Sequence, residues 1–358
     1  MILMTDVFPY NFHLMWKAEE YVLRFHPQYA GYRTILVCAA GFEKRSTALI
    51  RRIEHLLTTD TLCLVIVIRN PLDSDDANNN AFQEQNFSKI SETANRRGAA
   101  VKRIQCQLFD EKRVVVGQEQ LAASFTKILA DEDLSKSRFI LDISCLPRVL
   151  MFSMINYFYD FYPDNELLVG ITENESEKSE WNRDYPYTEA SWVSPFLGTF
   201  SDSPNDINIW IPILGRDRKR VNVVLSKYRF GTIFPLIGFP SSTPQDTDLV
   251  AKEHKELFMD YGISSKDVLY SPTSDPFLLF LRVKRLVDYL TSLPGLSART
   301  FISISPFGTK AQSLGAFLCG RFLRMGILYT QPIGYKPVIG DEGDSFIYYL
   351  RGQMYSVS

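Results

Sequence analysis

The sequence is poor in the residues and motifs on which most known enzyme sites are built. It has four histidines and five cysteines in 358 residues, with no HExxH motif, no GxSxG motif and no Walker phosphate loop. These absences argue against a zinc protease, an α/β-hydrolase and a P-loop NTPase. No two cysteines have CxxC spacing, which is typical of reduced thiols in a cytosolic protein. We therefore expect no disulfide and no metal site, and no cofactor is predicted.

Neither sign of charge dominates, because 39 Lys and Arg residues face 41 Asp and Glu residues for a net charge of -2. The chain thus lacks the overall basic field that drives binding to duplex nucleic acid or to anionic lipid, and any anion site must be local. The longest apolar run, residues 62–68, is far shorter than the roughly 20 residues that span a bilayer. Residues 1–10 have neither the cationic start nor the apolar core of a signal peptide. We expect a cytoplasmic protein with no membrane partner.

From Arg33 onward, short apolar runs alternate with amphipathic stretches, which is typical of a parallel sheet covered by helices. In the first half we predict strands at 34–39, 62–69, 100–106, 139–144 and 166–172, and helices at 43–57, 81–97, 118–129 and 147–162. In the second half we predict strands at 207–214, 232–239, 268–270, 300–305, 327–330 and 346–350, and helices at 219–228, 248–261, 276–290 and 310–325.

The regular alternation is broken by a stretch rich in charge, proline and serine, residues 174–205. We interpret this stretch as a junction between two domains of similar organisation. The predicted fold class is α/β, with two tandem Rossmann-like, doubly wound parallel-sheet units that arose by internal duplication. The predicted domains are an N-terminal extension (1–32), Rossmann-like domain 1 (33–173), the junction (174–205) and Rossmann-like domain 2 (206–358).

Similar short sequences recur in the two halves after the first and the fourth predicted strands. In open parallel sheets, ligands bind outside the carboxyl ends of the strands, near helix N-termini that favour anions. A glycine there permits close approach, a cation neutralises phosphate, and a hydroxyl donates to it or caps the helix. The residues that we predict to bind a phosphate ligand are Gly41, Glu43, Arg45, Asp142, Ser144, Arg148, Gly215, Ser305, Gly308, Thr309 and Lys310.

Two carboxylates are candidates for a catalytic role as general base, Asp142 and Glu43. A structural interpretation stands beside each functional one: the serines can be helix caps, and Asp142 can pair with Arg148 or Arg45. The histidines carry less weight, since we expect His254 to be solvated on a charged helix.

The run from Ser303 to Gln312, with Gly308, Thr309 and Lys310 at its centre, resembles the strand, Gly-Thr-Lys, helix motif of CARF domains. These domains are the Rossmann-like cyclic-oligonucleotide sensors of prokaryotic antiviral systems. Phe307 occupies the place of the second glycine of the family motif. In the first half, Arg148 takes the place of the lysine and no glycine is present. Two such units in one chain resemble SAVED domains, which are fused CARF pairs.

The resemblance implies a sensor that binds a nucleotide or cyclic oligonucleotide through its phosphates in prokaryotic defence, and that acts through a partner effector protein. Two alternatives remain open at this point. One is a Rossmann-like hydrolase of nucleotides or phosphodiesters, and the other is a scaffold subunit of a multiprotein complex.

Overall fold

The protein divides into two compact units. The computed structural model describes residues 15–25, 31–72, 76–174, 186–241, 243–293, 300–334 and 342–352. Unit 1 comprises Met1–Ser179 together with Gly334–Ser358, and unit 2 comprises Glu180–Ile333. Unit 1 is therefore built from both ends of the chain, and unit 2 is built from the segment between them.

The strands and helices alternate along the chain. Up to residue 192 they are β1 (Met15–Lys17), α1 (Ala18–Phe25), β2 (Arg33–Ala39), α2 (Ala48–Arg52), β3 (Leu62–Arg69), α3 (Asp76–Arg96), β4 (Ala100–Gln107), α4 (Gly117–Leu129), β5 (Ser137–Asp142), α5 (Arg148–Phe161), β6 (Glu166–Asn174) and β7 (Ser191–Trp192). From residue 207 they are β8 (Ile207–Ile213), α6 (Arg218–Lys227), β9 (Thr232–Ile233), β10 (Leu236–Gly238), α7 (Pro244–Glu253), α8 (Lys255–Asp260), β11 (Leu269–Ser271), α9 (Pro276–Ser292), β12 (Thr300–Pro306), α10 (Lys310–Leu323), β13 (Gly326–Tyr329) and β14 (Glu342–Arg351). Short 3-10 helices lie at Lys44–Thr47, Glu54–Leu56 and Ser265–Asp267.

Unit 1 contains a doubly wound sheet of the Rossmann type. Its parallel strands lie in the order β4-β3-β2-β5-β6, which is the 3-2-1-4-5 order of a Rossmann unit. The central strands are continuous apolar runs because helices cover both faces of a parallel sheet, and Leu62 to Val67 of β3 are at most 1% exposed. Antiparallel β14 pairs with β6, and β1 pairs with β14.

Unit 2 repeats this organisation. Its parallel strands lie in the order β11-β10-β8-β12-β13, which is again 3-2-1-4-5, and antiparallel β7 pairs with β13. The short β9 pairs with β8. The fold-class prediction of two tandem Rossmann-like units is confirmed, and the shared strand order is what an internal duplication would produce.

Within the described part of the chain, no helix has both the length and the apolar character needed to cross a membrane.

The helix predicted at 43–57 is interrupted. The structure has two 3-10 helices flanking α2 instead of one continuous helix. The Ser46 hydroxyl donates to the Ala39 carbonyl at 2.7 Å, which ties the first turn to the end of β2. A hydroxyl that competes in this way for backbone groups favours a local turn over the regular helix.

Two predicted elements of the second half are also divided. The strand predicted at 232–239 is split into β9 and β10, because Pro235 between them has no N–H group to donate to the ladder. The helix predicted at 248–261 is split into α7 and α8 at His254, whose ring contacts the Gly215 carbonyl.

The prediction that strand 346–350 completes domain 2 is wrong. These residues belong to β14, which pairs with β6 in unit 1. Ile347, Tyr348 and Tyr349 are 0% exposed there. The apolar pattern of a strand does not say which of two sheets it joins, so the sequence could not distinguish the two placements.

The domain boundaries shift accordingly. The described residues of the predicted N-terminal extension form β1 and α1 and belong to unit 1. Of the predicted junction, residues 186–205 belong to unit 2, where β7 extends the sheet, whereas Asn174 ends β6 in unit 1. Pairing at the sheet edges, rather than the composition of the connecting segment, sets these limits.

The burial of the thiols leads to a labelling prediction. All five cysteines are free; Cys38, Cys63, Cys106 and Cys319 are buried, and Cys145 is half-buried. Burial raises the pKa of Cys63 and Cys106 to about 12, which suppresses the reactive thiolate. Native protein should therefore take up one equivalent of a maleimide near neutral pH, at Cys145, and five equivalents after unfolding. Cys145→Ser is the control and should take up none; rapid labelling of native Cys63 would contradict the described sheet.

Candidate functional site

In each unit, the two loops that were predicted to bind a ligand follow the first and the fourth strands, and they lie at the point where the strand order reverses. In a 3-2-1-4-5 sheet, this point is the gap between the carboxyl ends of the first and fourth strands, where ligands collect. Gly41 follows β2 and Gly215 follows β8, and β2 and β8 pair in parallel with β5 and β12. The prediction that both glycines lie just past a central parallel strand is confirmed.

Each glycine allows the two loops at this point to touch. A Cβ on Gly41 would lie 2.7 Å from the Cβ of Cys145 and 3.3 Å from its Sγ. A Cβ on Gly215 would clash with the carbonyl oxygen of Phe307 and lie 3.0 Å from its carbonyl carbon. In both units, therefore, the space beside the glycine is occupied by the loop that follows the fourth strand.

Two side chains fix the first loop of unit 1. The Ser46 hydroxyl accepts from the Gly41 N–H at 2.9 Å while it donates to the Ala39 carbonyl. From α3, the Asn86 amide donates to the carbonyls of Gly41 (2.7 Å) and Glu43 (3.1 Å). The loop that carries the predicted residues is thus held on both sides by buried hydrogen bonds.

Arg45 lies at the carboxyl edge of unit 1 in an ion pair with Glu43, and the two side chains are 17% and 19% exposed. Its Nη1 also donates to the Thr172 carbonyl in β6 at 3.4 Å. Burial lowers the pKa of Arg45, but the charges of Glu43, Cys145 and Asp142 outweigh it, so the pKa of the guanidinium is raised. Arg45 therefore stays charged and joins the first loop to the fifth strand.

Asp142 and Ser144 form a buried hydrogen-bond network after β5. Asp142 is 4% exposed, and its Oδ1 accepts from the Ser144 N–H at 2.9 Å and from the Ser144 hydroxyl. The same hydroxyl accepts from the Thr172 N–H at 2.8 Å. The single hydrogen of the Ser144 hydroxyl is thus committed to Asp142, and the network joins the carboxyl ends of β5 and β6.

Arg148 is the first residue of α5 and is half-buried. Pro147 occupies the N-cap position, no side chain caps the helix there, and its first turn contains no acidic residue. The positive end of a helix dipole that begins with an arginine is a favourable place for an anion.

In unit 2, the hydroxyl groups of the corresponding residues Ser305 and Thr309 accept hydrogen bonds within the fold. The Ser305 hydroxyl accepts from the indole N–H of Trp210 at 2.8 Å, and both residues are 0% exposed. Thr309 caps α10: its hydroxyl accepts from the Gln312 N–H, and its own N–H donates to the Gln312 amide oxygen. Gly308 lies against this amide, where a Cβ would clash with it. Lys310 is half-buried, begins α10, and has no acidic neighbour in the first turn.

The sequence analysis missed a buried arginine at the edge of unit 2. Arg220 is 7% exposed, forms an ion pair with Asp217 at 3.3 Å, and donates to the Tyr329 hydroxyl at 3.0 Å. Its guanidinium also lies 5.4 Å from the ring centroid of Tyr187, whose hydroxyl donates to Asp217. Burial is the main cause that raises the pKa of Tyr187 to about 12; the charge of Arg220 opposes this rise, and the hydrogen bond to Asp217 adds to it. The sequence signal for this arginine is an N-cap aspartate three residues before it.

The two units therefore share a second feature. In each, an acid and an arginine pair after the first strand, Glu43 with Arg45 and Asp217 with Arg220, and the arginine reaches a residue of the fifth strand. Among the described residues, no group of three or more His, Cys, Asp or Glu side chains is placed to hold a metal ion. The chemistry available at these edges is charge-assisted hydrogen bonding to an anion, from Arg148 and Lys310 at the first positions of α5 and α10.

Comparison with known proteins adds little to this description. No protein-family model and no curated protein matches the sequence. A putative universal stress protein from Pseudomonas aeruginosa UCBPP-PA14 is similar with 13% sequence identity, coverage of 86% of this chain and 95% of that chain, and a TM-score of 0.24. A functionally unknown protein from Pseudomonas aeruginosa PAO1 has 12% identity, coverage of 87% and 94%, and a TM-score of 0.22. At these TM-scores neither structure carries an argument about the site.

The contact between the two loops of unit 2 predicts the effect of a single methyl group. Gly215→Ala should lower the free energy of unfolding by roughly 1 to 3 kcal/mol, because the new Cβ forces the Phe307 backbone to move. Gly231→Ala is the matched control in the same unit, since its nearest neighbour would be 3.7 Å away. Chemical denaturation measures both variants; equal stability of the two would contradict the described approach.

His254 was expected to be solvated, and this expectation is wrong. The residue is 2% exposed, and its Nε2 lies 2.7 Å from the Gly215 carbonyl. Burial lowers the pKa of His254, and the hydrogen bond to Gly215 only partly opposes this effect. The histidine lies between α7 and α8, and its ring contacts the loop after β8.

This burial predicts a pH dependence of stability. The folded protein keeps His254 neutral at pH values where the unfolded chain, with an ordinary pKa of 6.5, binds a proton. Stability should therefore fall as the pH drops below that value, by up to about 1.4 kcal/mol per pH unit. His254→Gln should flatten the profile measured by denaturation at a series of pH values. An identical slope in His254→Gln and the wild-type protein would refute this assignment.

Proposed function

We propose that this protein binds a nucleotide or cyclic oligonucleotide through its phosphates, at the carboxyl edges of its two Rossmann-like sheets. The observation that carries the proposal is the repeated helix start after the fourth strand. In both units, this helix has 14 residues, begins with a half-buried cation, and has no acidic residue in its first turn. A helix N-terminus that begins with a cation attracts phosphate by its dipole and its charge together.

Binding without hydrolysis is the better-supported form of the proposal. Glu43, one candidate general base, is engaged by Arg45. Asp142, the other candidate, is 4% exposed and accepts two hydrogen bonds from Ser144. A general base must reach the proton that it abstracts, and neither carboxylate is presented for that role. We therefore favour a sensor that acts through a partner protein, in keeping with the resemblance to CARF and SAVED domains in prokaryotic defence.

The proposal is tested first by the identity of any bound molecule. Purified protein is denatured, and the released small molecules are analysed by mass spectrometry. Recovery of an intact nucleotide or cyclic oligonucleotide would support a sensor, whereas recovery of only cleaved product after incubation with an intact nucleotide would support a hydrolase.

The two helix starts predict the effect of removing one charge. Arg148→Ala and Lys310→Ala should each weaken binding of the recovered nucleotide by roughly 1.5 to 3 kcal/mol, the scale of a charge-assisted hydrogen bond. Melting temperature should change little. Arg218→Ala is the matched control, because Arg218 begins α6, is exposed and pairs with Glu256 at the surface. Calorimetric titration measures the affinities, and wild-type affinity in the Arg148→Ala, Lys310→Ala double variant would overturn the proposal.

A further inference from the structure

The helix that begins with Lys310 differs from its counterpart in unit 1 at its third residue. This residue is Leu150 in α5 and Gln312 in α10, and the two are 0% and 2% exposed. A buried leucine needs only apolar neighbours. A buried glutamine has an amide oxygen and an amide nitrogen, and both groups require hydrogen-bond partners.

The side-chain amide of Gln312 is satisfied at its oxygen but not at its nitrogen. The oxygen accepts from the Thr309 N–H at 2.9 Å, as part of the cap of α10. This bond fixes the orientation of the amide, because an amide nitrogen cannot accept from an N–H group. The nitrogen, Nε2, is buried and has no hydrogen-bond partner among the described residues.

This amide nitrogen lies beside the carboxyl end of β10. A Cβ on Gly238, the last residue of β10, would lie 3.1 Å from Gln312 Nε2. Ser271 ends β11 and pairs in register with Gly238, so its side chain lies on the same face of the sheet. Ser271 is 1% exposed, and within the described part of the chain its Oγ also has no hydrogen-bond partner.

The two groups lie at the edge of unit 2 where the candidate site is. The Thr309 hydroxyl donates to the Thr273 carbonyl at 2.6 Å, which ties the start of α10 to the loop after β11. Ligands of open parallel sheets collect at this edge. A buried polar group without a partner is costly, so two such groups beside one glycine point to a partner from outside the fold.

We propose that Gln312 and Ser271 form a subsite that takes one uncharged hydrogen-bond acceptor of the nucleotide, a carbonyl oxygen or a ring nitrogen of its base. This inference rests on the proposed function and adds the part of the ligand that unit 2 recognises. Neither an amide nor a hydroxyl carries a charge, so they match a neutral acceptor better than a phosphate oxygen, which needs a cation such as Lys310. Leu150 cannot donate a hydrogen bond, so the subsite is confined to unit 2.

Entry of the base requires a local movement of the protein. Both groups are buried, and a Cβ on Gly238 would clash with the Thr273 methyl group, which therefore covers this glycine. The loop after β11 must shift for the acceptor to reach the amide and the hydroxyl.

The first test measures the melting temperature of exhaustively dialysed protein and does not depend on the identity of the ligand. Ser305→Ala is the matched control in the same unit, since it removes a buried hydroxyl that accepts from Trp210. It should lower the melting temperature by roughly 2 to 4 °C, the effect of one lost hydrogen bond. Ser271→Ala should leave the melting temperature unchanged or raise it. An equal loss in both variants would show that the Ser271 hydroxyl has a partner without the ligand, and would overturn the proposal.

The second test measures binding of five probes by calorimetric titration. Four are ATP, GTP, CTP and UTP, and the fifth is inorganic tripolyphosphate, which has the phosphates but no base. All variants carry Arg148→Ala, so that the helix start of unit 1 contributes little. Ser271→Ala and Gln312→Met should each weaken binding of the tightest nucleotide by about threefold to tenfold, the scale of one hydrogen bond, and leave the affinity for tripolyphosphate unchanged.

The results of this titration separate the subsite from the proposed function. Tripolyphosphate that binds as tightly as every nucleotide would overturn the subsite but leave phosphate binding in place. Nucleotide affinities that neither Ser271→Ala nor Gln312→Met alters would do the same. Binding of none of the five probes to the wild-type protein would overturn the proposed function, and with it the subsite.

Discussion

The parallel pairing of the first strand with the fourth determines the position of every other element in both units. β2 pairs with β5, and β8 pairs with β12, along most of their lengths. Parallel neighbours require crossover connections, and in both units the second and third strands lie on one side of this pair and the fifth on the other. The same pairing brings the two following loops side by side, and a glycine in each unit is the residue that lets their backbones meet. Strand order, the loop contact and the edge that we propose as the binding site are consequences of one register.

Much of the fold could be predicted because its signals are local. The uninterrupted apolar run at 62–68 lies in β3, which has the predicted bounds 62–69, and the cations at 148 and 310 begin helices as expected. The interruption at Ser46 and the placement of β14 could not be predicted in this way. The interruption at Ser46 depends on a hydrogen bond to the Ala39 carbonyl in the preceding strand. The placement of β14 depends on the edge of β6, which is distant in the sequence. A periodic pattern indicates that one face of a helix or strand is apolar, but it does not indicate which element covers that face.

The candidate site shows the same limit. Position along the chain correctly predicted that Gly41 and Gly215 follow central strands. It did not show that Ser305 accepts from Trp210, nor that the Ser144 hydroxyl is committed to Asp142, because these bonds depend on residues whose approach is set by the folded sheet. The burial of Arg220 has a similar origin. A cluster of cations at a helix start is usually solvated, and only the rings of two tyrosines from other strands and loops make this one part of the interior.

The outer strands of the two sheets govern how the protein behaves toward other chains. Among the described residues, β1 and β11 have three residues each and β7 has two, and such short strands are poor templates for a further strand. The eight-residue β4 forms the opposite edge of unit 1 and carries Lys102 and Arg103, which form ion pairs with Glu132 and Glu84. A second molecule that added a strand to β4 would have to displace these pairs and crowd their charges. The short outer strands and the charged side chains of β4 therefore oppose polymerisation through edge-to-edge pairing.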